Sequence, residues 1–108
     1  MSETLRRVQA LVLSGDYIVS RHGFRELAAD DIIAEDVLGT IGSAIVVEDY
    51  PTSRKEPSVL ALQHDRDGRP IHVMWGVPKE AGTPAILVTA YRPKPEQWSA
   101  DFKQRKKR

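Results

Sequence analysis

The side chains in this sequence with the clearest capacity for chemistry are two histidines, His22 and His72, one tyrosine, Tyr91, and two arginines, Arg69 and Arg92. An imidazole has an unperturbed pKa of about 6.5, close to working pH, and can take or give a proton. A guanidinium offers a planar fork of donors to a phosphate, and a phenol can orient either group. Together they suit cleavage of an RNA phosphodiester, which needs a base for the 2′-hydroxyl proton, an acid for the leaving 5′-oxygen and a cation for the charge that builds on phosphorus. Which histidine is acid and which is base is left open. The chemical reading requires the two imidazoles to face one another across an open cleft, roughly 5 to 8 Å apart. Each residue also has a structural reading. His22, with Arg21 and Arg25 close by, fits a solvated helix, His72 fits a half-buried strand histidine bonded to a carbonyl, and Tyr91 fits an ordinary sheet aromatic.

No other apparatus stands out. His64 falls near a turn and is expected to be exposed, and Glu48 and Asp49, adjacent in a strand, point to opposite faces and so do not form a carboxylate pair. The three histidines lack His-x-x-x-His spacing and there is no Cys, so neither a metal nor a cofactor is expected. No Gly-rich phosphate loop follows a strand, and no Gly-x-Ser-x-Gly elbow is present.

The elements that must position these residues follow from period and punctuation. Leu5, Val8, Leu11 and Val12 recur at helical spacing from Thr4 until Gly15, and a short extended stretch, Tyr17 to Val19, leads to Ser20, a cap for a second helix running to Leu27 with Phe24 and Leu27 inward. Asp30 and Asp31 break that helix, and a third, short one is expected at 35–41. From Ala44 the period becomes that of strands, at 44–50, 58–64, 69–77 and 85–91, with a polar loop at 52–57 and a hairpin turn at Asp65-Arg66-Asp67-Gly68. Alternation puts Ile71, Val73 and Trp75 on one face and His72 and Met74 on the other. On the last strand it sets Ile86, Val88 and Ala90 against Leu87, Thr89 and Tyr91. Pro95 suits the first turn of a final helix that docks Trp98 and Phe102 on the sheet. Helices first and strands after make an α+β fold, with N-terminal helices, an antiparallel sheet of three to four strands and a C-terminal helix.

A chain of 108 residues, 41% hydrophobic and 29% charged, fits one folded domain, 1–108. The absence of Cys fits a reducing, cytosolic setting, and no signal peptide or membrane span is expected. The net charge of +1 is uneven, because five of the sixteen basic residues fall in a tail at 103–108. Residues 1–102 then hold eleven basic against fifteen acidic residues, a body of net −4. A basic tail can lie along a phosphate backbone, or simply be a solvated end.

Four segments in register resemble a bacterial family, domain of unknown function 4258. They are Tyr17 to His22 with its Ser-x-His pattern, Glu48 to Pro51 reading Glu-Asp-Tyr-Pro, Gly68 to Val73 reading Gly-Arg-Pro-Ile-His-Val, and Thr89 to Pro93 reading Thr-Ala-Tyr-Arg-Pro, followed by Trp98. Position 23 is Gly where the family more often has a small residue such as Ala. The resemblance implies a fold similar to the RelE and MqsR toxins, which cleave messenger RNA and are held inactive by antitoxins. It implies His22, Arg69, His72, Tyr91 and Arg92 as the site, with RNA and an antitoxin or other protein as partners. Three functions are expected to compete: a metal-independent ribonuclease of toxin type, a non-catalytic protein- or nucleic-acid-binding module working through a sheet edge or the tail, and a small-ligand domain with an apolar cavity at Met74 and Trp75.

Overall fold

The computed structural model describes residues 2–52 and 56–106. The middle of the loop expected at 52–57 and the last two residues of the basic tail lie outside the described residues.

Helix α1, Glu3–Leu13, starts where Ser2 Oγ accepts the Leu5 N–H at 3.0 Å, and ends at Ser14 and Gly15, the latter at φ +83°. Its apolar stripe, Leu5, Val8 and Val12, is buried. Strand β1, Tyr17–Val19, precedes α2, Arg21–Ala29, which is capped by Ser20 as the sequence predicts, Ser20 Oγ accepting the Gly23 N–H at 2.9 Å; of the two side chains expected inward, Leu27 is buried but Phe24 is exposed. The same hydroxyl donates to the Val88 carbonyl at 3.0 Å, so one side chain starts the helix and fastens it to the last strand. Helix α3, Ala34–Gly39, and a 3-10 turn, Ile41–Ser43, lead to strands β2 (Ile45–Tyr50), β3 (Ser58–His64), β4 (Pro70–Gly76) and β5 (Ala85–Tyr91).

The sheet has five strands in the order β1-β5-β4-β3-β2. The expected antiparallel sheet of three to four strands is therefore a mixed one, because Tyr17 to Val19 pair in parallel with Ala85 to Leu87. The chain between them runs through α2, α3 and strands β2 to β4, a connection far longer than the dozen or so residues a parallel pair needs. The hairpin between β3 and β4 forms where expected. Gly68 stands at φ +79°, its N–H donates to the Asp65 carbonyl at 2.9 Å, and Asp65 Oδ1 accepts the N–H groups of Asp67 and Arg69 at 2.8 and 2.9 Å.

Both faces of the sheet are covered. On one, Val59, Ala61, Ile71, Val73, Trp75, Ala85, Leu87 and Ala90 pack under the helices with Leu5, Val8, Val12, Leu27, Val37 and Ile41. Within this core Gln63 accepts the Trp75 indole N–H at 2.9 Å and donates to the Val37 carbonyl at 2.6 Å, tying β3 and β4 to α3. Met74 lies on the opposite face, opposite Leu60 and Thr89 in the ladder, so the apolar cavity expected at Met74 and Trp75 does not form. Strand β5 corrects the simple alternation. A bulge at Val88, between the pairs Trp75↔Leu87 and Met74↔Thr89, sends Leu87 and Ala90 to the helix side and Thr89 and Tyr91 to the other. A second bulge, at Val47, leaves Glu48 opposite Leu60.

The final helix is not observed. Residues 93–106 form instead a strap over the second face, folded on itself by Ser99 N–H to the Gln104 carbonyl and Phe102 N–H to the Ser99 carbonyl, both 2.8 Å, with an isolated bridge between Trp98 and Arg105. Asp101 Oδ1 accepts from Ser99 Oγ at 2.6 Å and from the Lys103 N–H at 3.1 Å, and Phe102 sits at φ +61°. Short polar side chains have here captured the backbone groups that a helix would use. The docking of Trp98 survives the change of element, for its side chain is buried against the sheet.

Gly23 shows how tightly α2 is held. A Cβ there would stand 2.6 Å from the Leu87 carbonyl oxygen and 3.0 Å from Leu87 Cδ2. The absence of a side chain at Gly23 thus permits the close seat of helix on strand. At an unobstructed helical site Gly→Ala gains about 1 kcal/mol, whereas overpacking against backbone costs about 1 to 3 kcal/mol. Gly23→Ala is expected to destabilise by about 1 kcal/mol net, measured as a lower urea midpoint.

Candidate functional site

The second face is apolar along β3, where Leu60 and Leu62 are buried, yet His72 lies beside them with none of its surface exposed. A buried imidazole needs partners for both nitrogens. His72 Nε2 is 2.8 Å from the Phe102 carbonyl oxygen, which can only accept, so Nε2 carries the proton and donates. Nδ1 is then the acceptor, 3.1 Å from the Tyr91 hydroxyl, which donates. Trp98 packs edge-on against the ring, with centroids 4.4 Å apart at 85°, and Tyr91 does so at 5.3 Å and 77°.

Glu48 stands on the same face, brought there by the β2 bulge. Its Oε2 accepts Arg105 Nε–H at 2.8 Å, and its Oε1 accepts Arg105 Nη2–H at 3.1 Å and the Tyr50 hydroxyl at 2.6 Å. The Arg105 guanidinium also lies over the Trp98 ring, 4.8 Å from its centroid. The cluster is thus Glu48, Tyr50, His72 and Tyr91 from three strands, closed from above by Trp98, Phe102 and Arg105 from the strap.

Its electrostatics follow from burial and charge. Burial pushes the His72 imidazole below its ordinary value, against the Phe102 carbonyl and the Glu48 charge, which pull it up. The Arg105 hydrogen bonds hold the Glu48 carboxyl below the usual carboxylate range. Tyr50 is raised chiefly by its bond to Glu48, and Tyr91 by burial.

Of the five residues singled out by sequence, the structure brings together His72 and Tyr91. Arg69 and Arg92 meet elsewhere, on Asp65 at the β3–β4 turn: Arg92 Nη1 lies 3.0 Å from Asp65 Oδ2, close but outside hydrogen-bond geometry, and Arg69 Nε lies 3.4 Å from it. Backbone N–H donors, Arg69 first, keep the Asp65 carboxyl low, so this acid is a turn cap that two cations neutralise. Arg92 is further held by α2, its N–H donating to Asp30 Oδ2 at 2.9 Å. His22 is exposed in the first turn of α2, a helix whose Leu27 belongs to the core on the other side of the sheet, while His72 is buried with both nitrogens on Tyr91 and Phe102, so the expected pair of imidazoles facing one another across an open cleft does not form and the acid–base reading built on that pair fails. His64 is exposed, as expected.

Glu48, Tyr50 and Arg105 escape the sequence reading. Glu48 and Tyr50 carried a signal, since residues two apart on a strand share a face. Arg105 carried none, lying 57 residues from its partner in a tail that reads as solvated. Among the described residues no group of three His, Cys, Asp or Glu side chains could hold a metal ion, and no helix is long and apolar enough to cross a membrane.

The depressed imidazole makes stability depend on pH. Because the unfolded chain takes up this proton first, as pH falls through about 6.5, stability is present above that value and is lost toward the lower folded pKa, with a slope of at most about 1.4 kcal/mol per pH unit. Glu48, also depressed, adds a loss of the same sign below about 4.5. Urea unfolding of the wild type is expected to show falling stability between about pH 7 and pH 5, and His72→Gln to flatten that stretch.

Residues 19–92 match the family described as Domain of unknown function (DUF4258). No curated protein and no solved structure matches the chain. The match takes in Glu48, Tyr50, His72 and Tyr91 and ends before the strap, and it covers well over half of the 108 residues: the chain belongs to this family.

Proposed function

We propose that this protein is a metal-independent ribonuclease of toxin type, allied to the RelE and MqsR class, and that its site is Glu48, His72, Tyr91 and Arg105. One observation carries the proposal: an ionisable set of carboxylate, imidazole, phenol and guanidinium converges on the sheet face that also holds Leu60 and Leu62, with His72 Nε2–H aimed at an oxygen 2.8 Å away. That oxygen, the Phe102 carbonyl, stands in for an oxygen of the scissile phosphodiester.

In the proposed reaction Glu48, a carboxylate at neutral pH, takes the 2′-hydroxyl proton. The 2′-oxygen attacks phosphorus, the bond from phosphorus to the 5′-oxygen breaks, and His72 Nε2–H protonates the departing 5′-oxygen, leaving a 2′,3′-cyclic phosphate. An anionic phosphate in place of a neutral carbonyl raises the proton affinity of the imidazole and brings its acid form within reach of neutral pH. Arg105 faces the charge that develops on phosphorus, and Tyr91 holds the imidazole in the required orientation through Nδ1. Arg69 and Arg92 are assigned to the hairpin turn and His22 to the surface.

The alternative, a non-catalytic module that binds a protein through a sheet edge, has in its favour the free edge of β1 beside the exposed Ile18 and Phe24. A cleavage assay separates the two. Purified protein with labelled single-stranded RNA is expected to yield 2′,3′-cyclic phosphate ends, and Glu48→Gln and His72→Ala are each expected to slow cleavage by about a hundredfold or more. His22→Ala is expected to stay within about twofold, a surface change outside the proton path. No cleavage by the wild type, or equal rates in all four proteins, would sink the nuclease reading and favour the binding module.

A further inference from the structure

We infer that the strap, 93–106, is a latch that single-stranded RNA itself releases, with Arg105 exchanging the Glu48 carboxylate for a backbone phosphate. The inference rests on the reading of the Glu48–His72 cluster as a ribonuclease site.

The strap is built to lift as a unit. Among the described residues its turn and loop backbone bonds close within the segment: Gln97 and Trp98 N–H to the Lys94 carbonyl, Ser99 to Gln104, Phe102 to Ser99, and Lys106 to Gln97. It is no sixth strand, and it is attached to the sheet by two side-chain features and one carbonyl, the Trp98 indole seated on His72, the Arg105 fork on Glu48 and the Phe102 carbonyl on His72 Nε2, while the guanidinium over Trp98 is a contact within the strap. The segment can leave the sheet while keeping its own loop. The Arg105 side chain is 64% exposed and that of Glu48 24%, so the ion pair sits at the rim, where a pair of this kind is weak and within reach of a competing anion.

Charge selects the competitor. The strap presents Lys94, Lys103, Arg105 and Lys106 to solvent against Glu96 and Asp101, while the body beneath it is acidic. A chain of phosphates therefore binds the strap rather than the covered face, and a phosphate accepts the planar arginine fork as well as a carboxylate does. Release arms every part of the site in one step. Glu48 loses the cation that keeps its proton affinity low, His72 Nε2–H loses the Phe102 carbonyl, and Arg105 arrives on the phosphate. Trp98 is freed to stack on a base, which fits a single strand rather than a duplex. The latch keeps the acid–base pair occupied until the substrate is present.

The test uses the whole chain labelled with 5-fluorotryptophan. Its two tryptophans stand apart: Trp98 under the strap's edge, and Trp75 in the helix-side core with its N–H on Gln63. A 2′-O-methyl oligoribonucleotide has no 2′-hydroxyl to react and is the probe. Titration is expected to move the Trp98 fluorine resonance and leave that of Trp75 in place, and Glu48→Gln is expected to lower the oligonucleotide concentration needed by up to about fivefold, as loss of one exposed ion pair allows. Binding of the oligonucleotide with an unmoved Trp98 resonance overturns the latch, and so does absence of binding. The two readings fail separately. If Trp98 moves but unmodified RNA is not cut, the latch stands and the nuclease fails; if RNA is cut while Trp98 stays, the nuclease stands and the latch fails.

Discussion

Burying His72 obliges two other parts of the chain to be where they are. An imidazole stripped of water must find an acceptor for its one proton and a donor for its other nitrogen. The ladder pairs His72 with Tyr91, and the bulge at Val88 is what turns that phenol to the same side. The acceptor has to come from outside the sheet, because strand carbonyls point within its plane, and the strap supplies it as the Phe102 carbonyl. Trp98 and Arg105 follow from the same requirement, one sealing the ring from water and the other closing the rim on Glu48. Removing the strap would strip His72 of its Nε2 acceptor and of the Trp98 ring packed against it, so the environment of this imidazole is conditional on the strap in a way the helix-side core is not.

The sheet thus carries two buried polar networks of different kinds. On the helix side the buried Gln63 amide joins Trp75 to the Val37 carbonyl and the Thr40 hydroxyl through neutral hydrogen bonds, an arrangement that fixes element positions and has no ionisable group. On the other side the groups ionise, the cover is a terminal segment held mostly by side chains, and the rim is open at Glu48 and Tyr50. That contrast in chemistry and cover is the basis for reading function on one face and architecture on the other. The cations on Asp65 belong with architecture, since that carboxylate caps a hairpin turn first and pairs with arginines second.

The parts legible in the sequence were those governed by local rules. The caps Ser20 and Gly15, the Asp-Gly hairpin and the alternation along β4 need only near neighbours, and all stand where periodicity and turn chemistry put them. Illegible parts depend on pairing at long range. The bulges at Val47 and Val88 shift a face by one residue with no mark in composition, which regroups Leu87 with Ala90 and carries Glu48 to His72's side. The parallel seat of Tyr17 to Val19 depends on β5, nearly seventy residues later. In the C-terminal segment the four-residue spacing of Trp98 and Phe102 suggested a helix, but Ser99 and Asp101 fold the chain back, and the docked Trp98 is what that spacing read correctly. Of the candidate cluster, His72 and Tyr91 are legible as chemistry, whereas Glu48 beside Asp49 reads as half of no carboxylate pair and Arg105 reads as one charge of a basic tail.

The most direct measurement of the state on which all of this depends is a long-range ¹⁵N–¹H NMR titration of the histidine side chains. The expected result is that His72 is a neutral Nε2–H tautomer near pH 6.5, with Nδ1 as an acceptor and a midpoint below the ordinary imidazole value. An Nδ1–H tautomer, or a ring titrating freely near 6.5 like a solvated histidine, would contradict the bonds to Tyr91 and Phe102 and with them the closed site.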